Sequence, residues 1–484
     1  TLTGGVRAEG SVPRTAPAEN PAIETLFDAR PDHAPTPIAV LQRLKYPYKI
    51  PGQQVMSASM SQLSRTYQGP SVIRGGIGEF RGAARPTLLS GAMTSTGLPG
   101  GVERLLCTGS ATPTPDWQAY ATDTSAIPSE CVNSSTLADT APSVTLLDRR
   151  WAPPESWRAT LGYSKTLFST YLSIDANYAI NLHQPGTYDL NFAGAPQFSI
   201  ADEGARPVSV GPSSIDPSSG AVSSVQSRTS AAYGRVVDQR ADLRGETGQV
   251  TVYAIPNIPF RFGIVTIGYT YADARIQSRG FDQSTGGDPR LVDWSPGVFT
   301  PHHTVQIGIG KSFGKWGGIT TSIRAQSGLP FTPLVAGDVN GDGLSNDRAF
   351  VFNPATATDP AVASGLTSLI ASGPAAARAC LAKQLGQIAA QNSCTGPWSA
   401  TMNAGIYFFN AVPWTSNRAR VGFTFQNVLG GLDELIHGNN HLQGWGMSPF
   451  PDQTLLRVRG FDPGTNSFLY SVNPRFGSTS LTTT

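Results

Sequence analysis

Hydrophobic and polar residues alternate along much of the chain with a period of two. From Leu172 to Leu182 every second residue is apolar, and the residues between them are mostly small or polar. Successive side chains of a β-strand point to opposite faces, so this pattern predicts a strand with one apolar and one polar face. Its length favours a tilted strand that crosses a bilayer, which needs about 9–11 residues, over a soluble strand of about 5–6 residues.

The same alternation recurs from one end of the chain to the other. It predicts strands at 2–11, 39–49, 53–66, 70–83, 155–167, 169–183, 186–193, 230–242, 247–256, 259–277, 301–313, 316–328, 400–412, 417–428, 454–461 and 466–475. Aromatic residues gather near the strand ends, as in the aromatic girdles of membrane barrels. The predicted fold is all-β, an antiparallel transmembrane β-barrel or most of one. The alternative is a soluble β-protein rich in aromatic residues.

Short and long connections alternate between these strands. Gly314-Lys315 predicts a tight turn, whereas 84–154, 194–229, 278–300 and 331–399 are long and rich in Ser, Thr, Pro, Gly and Asp. Barrels of the outer membrane have short periplasmic turns and long extracellular loops. We therefore assign 1–477 to the barrel region and 478–484 to a tail.

One long loop carries a helix pattern. Pro374 is suited to start it, and Leu381, Leu385 and Ile388 follow at helical spacing.

Composition and charge narrow the class further. The 484 residues carry a formal net charge of +2, and only 14% are charged, against about 25% in soluble domains. The balance excludes a strongly basic nucleic-acid-binding protein. The sequence also lacks an apolar run of about 18 residues, which excludes a transmembrane helix. Its first residues lack the features of a signal peptide, so we expect a processed chain or part of a longer one.

The four cysteines fall into two local pairs within long loops. Cys107 precedes Cys131, and Cys380 precedes Cys394, in polar segments without the C-x-x-C spacing of a metal site. Two disulfides in an exported protein are the prediction. Four unrelated thiols are the alternative.

The segment from Asp338 to Asp347 is the sharpest candidate for a metal site. Asp338, Asn340 and Asp342 occupy positions 1, 3 and 5 of an EF-hand-like calcium loop, with Gly343 at position 6. Position 12 lacks the usual Glu, and Asp347 at position 10 is the candidate replacement. Two interpretations stay open: calcium binding by these four residues, or a turn whose side chains cap its own backbone.

Other chemical motifs are weak. Gly310-Lys311-Ser312 lies in a strand pattern and lacks the earlier glycine of a phosphate-binding loop. The pairs His302-His303 and His437 with His441 favour loop or interfacial positions over metal binding. The sequence has no G-x-S-x-G or H-E-x-x-H motif. We therefore expect no enzyme.

Most arginines in or beside predicted strands should face a wet lumen or an interface, since charge on a lipid face is costly.

Several stretches together resemble a known family of barrels. They are Val72-Ile73-Arg74-Gly75-Gly76-Ile77-Gly78-Glu79-Phe80, Ser156-Trp157, Ser327-Gly328-Leu329-Pro330-Phe331-Thr332-Pro333 leading into Asp338-Val339-Asn340-Gly341-Asp342-Gly343 and Asn346-Asp347-Arg348, Phe425-Gln426-Asn427-Val428-Leu429, and the terminal Val472-Asn473-Pro474-Arg475-Phe476-Gly477. The chain resembles the C-terminal barrel portion of TonB-dependent outer-membrane receptors, in particular the Oar-like group. In this resemblance the terminal stretch corresponds to the closing strand.

The resemblance implies a barrel in the outer membrane of a Gram-negative-type bacterium, with its loops outside the cell. Such a barrel takes up a ligand, or exports or displays protein, with energy relayed by TonB. The sequence has no TonB box, plug domain or carboxypeptidase-regulatory-like domain. The implied partners are therefore outer-membrane lipid, a plug and N-terminal barrel part on a missing or separate chain, and TonB indirectly.

Two other functions stay open. One is a surface scaffold or adhesin-type barrel that binds a protein partner through disulfide-stapled loops. The other is a secreted, soluble, calcium-binding β-rich domain. Calcium is the one cofactor that the sequence suggests.

Overall fold

The computed structural model describes most of the chain. The described residues are 2–50, 54–59, 62–67, 70–83, 86–99, 106–107, 111–128, 130–132, 138–139, 141–167, 170–256, 263–314, 316–409, 420–438 and 442–480.

Strands dominate these residues. They are β1 (Thr3–Gly10), β2 (Ile38–Ile50), β3 (Gln54–Ser59), β4 (Gln62–Tyr67), β5 (Ser71–Arg81), β6 (Leu106–Cys107), β7 (Ala138–Asp139), β8 (Val144–Leu147), β9 (Glu155–Leu167), β10 (Thr170–Asp189), β11 (Phe198–Ile200), β12 (Arg206–Val208), β13 (Val236–Ile255), β14 (Ile264–Arg279), β15 (Val292–Pro296), β16 (His303–Ser312), β17 (Gly317–Gln326), β18 (Pro330–Phe331), β19 (Leu334–Ala336), β20 (Phe350–Val351), β21 (Gln387–Ile388), β22 (Cys394–Thr395), β23 (Ser399–Phe409), β24 (Arg420–Phe425), β25 (Thr454–Asp462) and β26 (Ser467–Val472).

The helices are short and lie in the connections. They are α1 (Pro21–Phe27), α2 (Pro86–Thr94), α3 (Trp117–Thr122), α4 (Pro360–Ser372), α5 (Ala375–Leu381) and α6 (Val428–His437). None of the helices in the described part of the chain is long and apolar enough to span a membrane.

One large antiparallel sheet organises the chain. Its main path has eleven strands in the order β1-β2-β5-β9-β10-β13-β14-β16-β17-β23-β24, so neighbours in the sheet follow each other along the sequence. Every neighbouring pair on this path is antiparallel. The prediction of an all-β, antiparallel sheet of long barrel-type strands is confirmed.

Most predicted strands match the observed ones within a few residues, but three predictions were wrong in detail. Segment 53–66 is the hairpin β3–β4. The pair 169–183 and 186–193 is one strand, β10, which passes through register shifts between Asn181 and Gly186. The pair 230–242 and 247–256 is likewise one strand, β13. Polar and glycine residues in mid-strand imitate turns, because a β-bulge absorbs an extra residue without ending the strand.

The strand register separates the side chains into two faces. One row across seven neighbouring strands, on what we call the apolar face, reads Ile73, Tyr163, Ile174, Val252, Tyr269, Val305 and Ala325. The next row, on the polar face, reads Arg74, Gly162, Asp175, Thr251, Thr270, Thr304 and Gln326. The alternation predicted within each strand is therefore preserved across the sheet.

The apolar face is open to its surroundings. Leu161 is 62% exposed, Ile77 53% and Phe423 55%. On β9, this face carries only uncharged residues between Glu155 and Lys165. The ten residue steps from Glu155 to Lys165 would span roughly 26 Å along a bilayer normal, at about 3.4 Å per residue and a tilt of about 40°. That height matches the apolar band of about 25 Å in outer-membrane barrels.

A second body, formed by 198–222, 331–394 and 455–476, lies at the end of the sheet that carries the long connections. We call it the loop body, and we call this end of the sheet the loop end. Its segments share one buried hydrophobic core, which includes Phe331, Leu366, Leu381, Leu456 and Tyr470. Strand β25 pairs with β26 and with β19 in a separate three-stranded sheet.

The placement of β25 and β26 corrects the prediction that 454–461 and 466–475 are barrel strands, with the terminal stretch as the closing strand. Their alternating residues are buried against the loops instead. Phe468 is 5% exposed and Tyr470 1%.

Both predicted cysteine pairs are disulfide-bonded. Cys107–Cys131 joins two parts of the loop between β5 and β9. Cys380–Cys394 attaches α5 to β22 within the core of the loop body. The helix expected to extend to Ile388 ends at Leu381. Gly386 adopts a left-handed conformation, and Ile388 pairs with Phe350 in a short strand.

A buried charged network joins the segments of the loop body. The Arg206 Nε–H donates to Glu203 at 2.7 Å, and its Nη2–H donates to the carbonyl oxygen of Arg348 at 2.7 Å. The Arg206 Nη1 lies 3.8 Å from Asp347 Oδ1, and the Tyr470 hydroxyl donates to the other oxygen of Glu203. All four side chains are at most 1% exposed.

We expect Arg206→Met to destabilise the loop body by about 3–5 kcal/mol, because it leaves the Glu203 carboxylate buried without its cation. Hydrogen exchange of the β25–β26 peptides measures this loss. The matched control is Arg378→Met, an exposed position on α5, with an expected effect of about 0.5 kcal/mol or less. Equal protection in the two variants would contradict the prediction.

Candidate functional site

An ion pair lies in the middle of the polar face. The guanidinium of Arg74 on β5 donates to both carboxylate oxygens of Asp175 on β10, at 2.6 and 2.7 Å. The Ser173 hydroxyl donates to the same carboxylate at 2.7 Å. The prediction that Arg74 faces away from the apolar side is confirmed, and its charge is balanced within the face.

The other arginines in or beside predicted strands lie apart from this ion pair. Arg7 pairs with Glu9, and Arg240 pairs with Asp238 at 2.7 Å. Arg158 and Arg324 lie on the polar face without such a pair among the described residues. Arg261 and Arg418 lie outside the described residues.

Near the loop end, the polar face forms an open recess of about 660 Å³. Arg43 on β2 and Arg158 on β9 both face Gly78 on β5 in the strand register. Their guanidinium carbons lie 4.3 Å and 5.1 Å from the centroid of the Phe80 ring. The recess thus combines two cations with an aromatic surface.

The predicted calcium residues do come together, in a turn of the loop body. The two oxygens of Asp338 accept the backbone N–H groups of Gly341 at 2.7 Å and Gly343 at 2.8 Å. Asp342 accepts the Leu344 N–H at 2.8 Å, and Asp347 Oδ2 accepts the Val339 N–H at 2.8 Å. This is the arrangement of a turn capped by its own side chains.

The amide of Asn340 completes the turn. It donates to the carbonyl oxygen of Gly287 at 2.8 Å and to Asp342 at 3.0 Å. Across the described ranges, no group of three or more His, Cys, Asp or Glu side chains has a metal-binding arrangement. Most of the oxygens that calcium would need are engaged by backbone donors, and calcium binding stays a prediction.

Burial changes the acidity of this turn. Asn340 and Asp347 are fully buried, and Asp342 is 4% exposed. Burial raises the pKa of Asp342 to about 6. Burial and the repulsion of Asp342 raise the pKa of Asp347 to about 8, against the opposing attraction of Arg206. The pKa of Asp338 is raised by burial and by the repulsion of Asp342 and Asp347.

Histidines and aromatic residues cluster on the apolar face at the loop end. His303 Nδ1 lies 2.8 Å from the Tyr269 hydroxyl, and its ring stacks on Trp398. His302-His303 thus lies where β16 begins, beside aromatic residues. The Nδ1 of His437 lies 2.8 Å from Asp433. His441, the other histidine of that pair, lies outside the described residues.

Sequence reasoning missed two groups of residues. Arg43 and Phe80 lie in predicted strands, at positions that alternation places on the polar face, so their proximity could have been found once β2 and β5 were paired. Glu203 and Arg206 lie in a loop, and their partners Asp347 and Tyr470 are more than 100 residues away. No local signal identifies that network.

Comparison with protein-family models and with curated proteins gives no match. Among solved structures, the chain is similar to the outer membrane transporter YddB from Escherichia coli, with 8% identity and a TM-score of 0.37, over 82% of this chain and 42% of the other. It is also similar to the copper transporter OprC, with 8% identity and a TM-score of 0.32, over 88% of this chain and 39% of the other. The chain thus spans about two fifths of each. The fold assignment depends on strand order and register, and not on these similarities.

We expect the loop body to lose stability as the pH rises from about 4 to about 8 in the presence of EDTA. Asp342 and Asp347 bind protons more tightly in the folded state than in the unfolded chain, where the pKa is about 3.9, so folding is favoured while they are protonated. Hydrogen exchange of the loop body across this range measures the effect. Asp347→Asn should flatten the pH dependence, and Asp202→Asn, at an exposed position, should leave it unchanged.

The same measurement tests calcium. If the four predicted residues bind the ion, about 1 mM calcium should restore protection above pH 8, because a bound cation favours the ionised carboxylates. An unchanged profile would favour the self-capped turn.

Proposed function

We propose that this chain is part of an outer-membrane β-barrel of the TonB-dependent receptor type. The observation that carries the proposal is the exposed apolar face, whose uncharged stretch on β9, roughly 26 Å high, matches the apolar band of outer-membrane barrels. A soluble protein rarely exposes an apolar surface of this extent. Outer-membrane lipid would cover it.

In this proposal, the polar face lines the passage for a ligand, and the long connections lie outside the cell. A plug and further barrel strands, on another part of the receptor or on another chain, would complete the passage, and TonB would act through the plug. The proposed activity is passage or capture of a ligand without a catalytic step. Within the receptor class, the stretch from Ser327 to Arg348 favours the Oar-like group.

The second candidate is a surface scaffold that binds a protein partner. It is favoured by the loop body, which has its own core and a disulfide, and thus presents a rigid surface. Both candidates require the membrane, and they differ in whether a ligand enters the polar face. A secreted, soluble calcium-binding domain is the third candidate, and it requires neither lipid nor a passage.

A pair of neighbouring residues tests the membrane placement. Val250 and Gln249 are adjacent on β13, and they lie on the apolar and polar faces, respectively. We expect Val250→Arg to cost about 2–4 kcal/mol in a bilayer, because it places a charge in hydrocarbon. Gln249→Arg should change stability by about 0.5 kcal/mol or less. Denaturant unfolding of the lipid-reconstituted full chain measures both values.

Val250 is already 41% exposed, so in water its replacement by arginine should be nearly neutral. Near-equal stability of the two variants, in a chain that stays monomeric without detergent, would favour a soluble protein.

A further inference from the structure

We propose that the recess around Phe80 is a binding site for small anions that carry carboxylate, phosphate or sulfonate groups. This inference deepens the proposed function, because it assigns a ligand class to the polar face.

The charges of the recess are unbalanced. Arg43, Lys45 and Arg158 line it, and none of them has a carboxylate within 4.0 Å among the residues that the structure describes. Their hydrogen bonds are limited to a neutral backbone oxygen of Glu79 for Arg43, at 3.5 Å, and to the Ser156 hydroxyl for Arg158, at 3.1 Å. These three cations can therefore accept an external anion.

The nearby Arg74 provides the contrast. It lines the same recess, but its guanidinium is fully engaged by Asp175. The polar face thus contains both an arginine with its own counter-ion and arginines without one. An external anion should therefore bind at Arg43 and Arg158, which have no counter-ion among the described residues, and not at Arg74.

Phe80 holds the two free guanidinium groups over a common surface. A guanidinium over an aromatic ring is attracted by the negative charge of the ring face. The contact restricts the long side chains before a ligand arrives, which lowers the entropic cost of binding. The guanidinium edges remain available for the paired hydrogen bonds that carboxylate and phosphate accept.

Two glycines keep the floor of the recess clear. A Cβ atom at Gly78 would lie 2.9 Å from Arg43 Cγ, and one at Gly76 would lie 2.9 Å from the backbone oxygen of Leu44. A side chain at Gly78 would displace Arg43. The bare backbone of β5 therefore leaves space between the cations of β2 and the cation of β9.

The volume and the aromatic floor favour an organic anion over a single inorganic ion. About 660 Å³ exceeds what phosphate alone would fill, and pockets for drug-sized ligands measure about 300–1,000 Å³. A planar, multiply charged molecule would contact Phe80 and both guanidinium groups together. Phosphate and carboxylates share the charged chemistry and should bind more weakly.

The test uses pyranine, a fluorescent pyrene trisulfonate, titrated into the detergent-solubilised full chain at low salt. We expect saturable binding that weakens as salt is added, because exposed charges are screened. Arg43→Gln and Arg158→Gln should each weaken binding about 10- to 100-fold. Arg324→Gln is the matched control, an exposed arginine on the same face outside the recess, and should leave the affinity unchanged.

Competition identifies the preferred ligand chemistry. Inorganic phosphate and succinate are added separately to the pyranine complex, and the stronger competitor indicates the group that the site prefers. A cationic dye of similar size should not bind.

Three results would overturn the anion site: no saturable binding, binding that neither recess variant weakens, or equal weakening by Arg324→Gln. Failure of the membrane placement is a separate outcome. If the anion site fails while Val250→Arg remains costly in bilayers, the barrel proposal stands. If pyranine binds to a chain that is soluble without detergent, the anion site stands and the membrane proposal fails.

Discussion

The two-faced register of the large sheet is the constraint on which the rest of the structure depends. Side chains alternate with a period of two, so a slip of one residue between two strands would move every apolar group of one strand to the polar side. The row from Ile73 to Ala325 shows that no such slip occurs over seven strands. The recess, the ion pair of Arg74 and the uncharged band all follow from this register.

The loop body reaches stability by a different principle. Its strands are short, and its segments come from distant parts of the chain, so no long ladder aligns them. A shared hydrophobic core and the network around Arg206 join these segments instead. Buried charges are costly without their partners, so the network penalises any arrangement in which one segment has moved away. The loops between strands therefore form one body.

The sequence predicts the large sheet well, because its signal is local. Leu172 to Leu182 alternates visibly without knowledge of any neighbour, and the strand order follows from hairpin connections. The same signal fails for β25 and β26, since Phe468 and Tyr470 alternate in the same way whether they face lipid or a protein core.

The residues of the candidate site are likewise predictable only as far as a local signal reaches. Arg43 and Arg158 are on the correct face by parity, but the ring of Phe80 between them becomes apparent only after three strands are paired. Sequence spacing alone identified both cysteine pairs, whereas the Asp338–Asp347 motif identified a turn without specifying its ligand.

The open ends of the strand order have a consequence for assembly. Among the described residues, β1 and β24 each pair with one strand of the large sheet, so each presents a row of backbone donors and acceptors on its other side. Hydrocarbon cannot satisfy these groups, and a spanning sheet must therefore close on itself. Single-chain barrels of the bacterial outer membrane have an even number of strands. The path has eleven strands within the described ranges, so in the proposed barrel an odd number of further strands must fill the gap between β24 and β1.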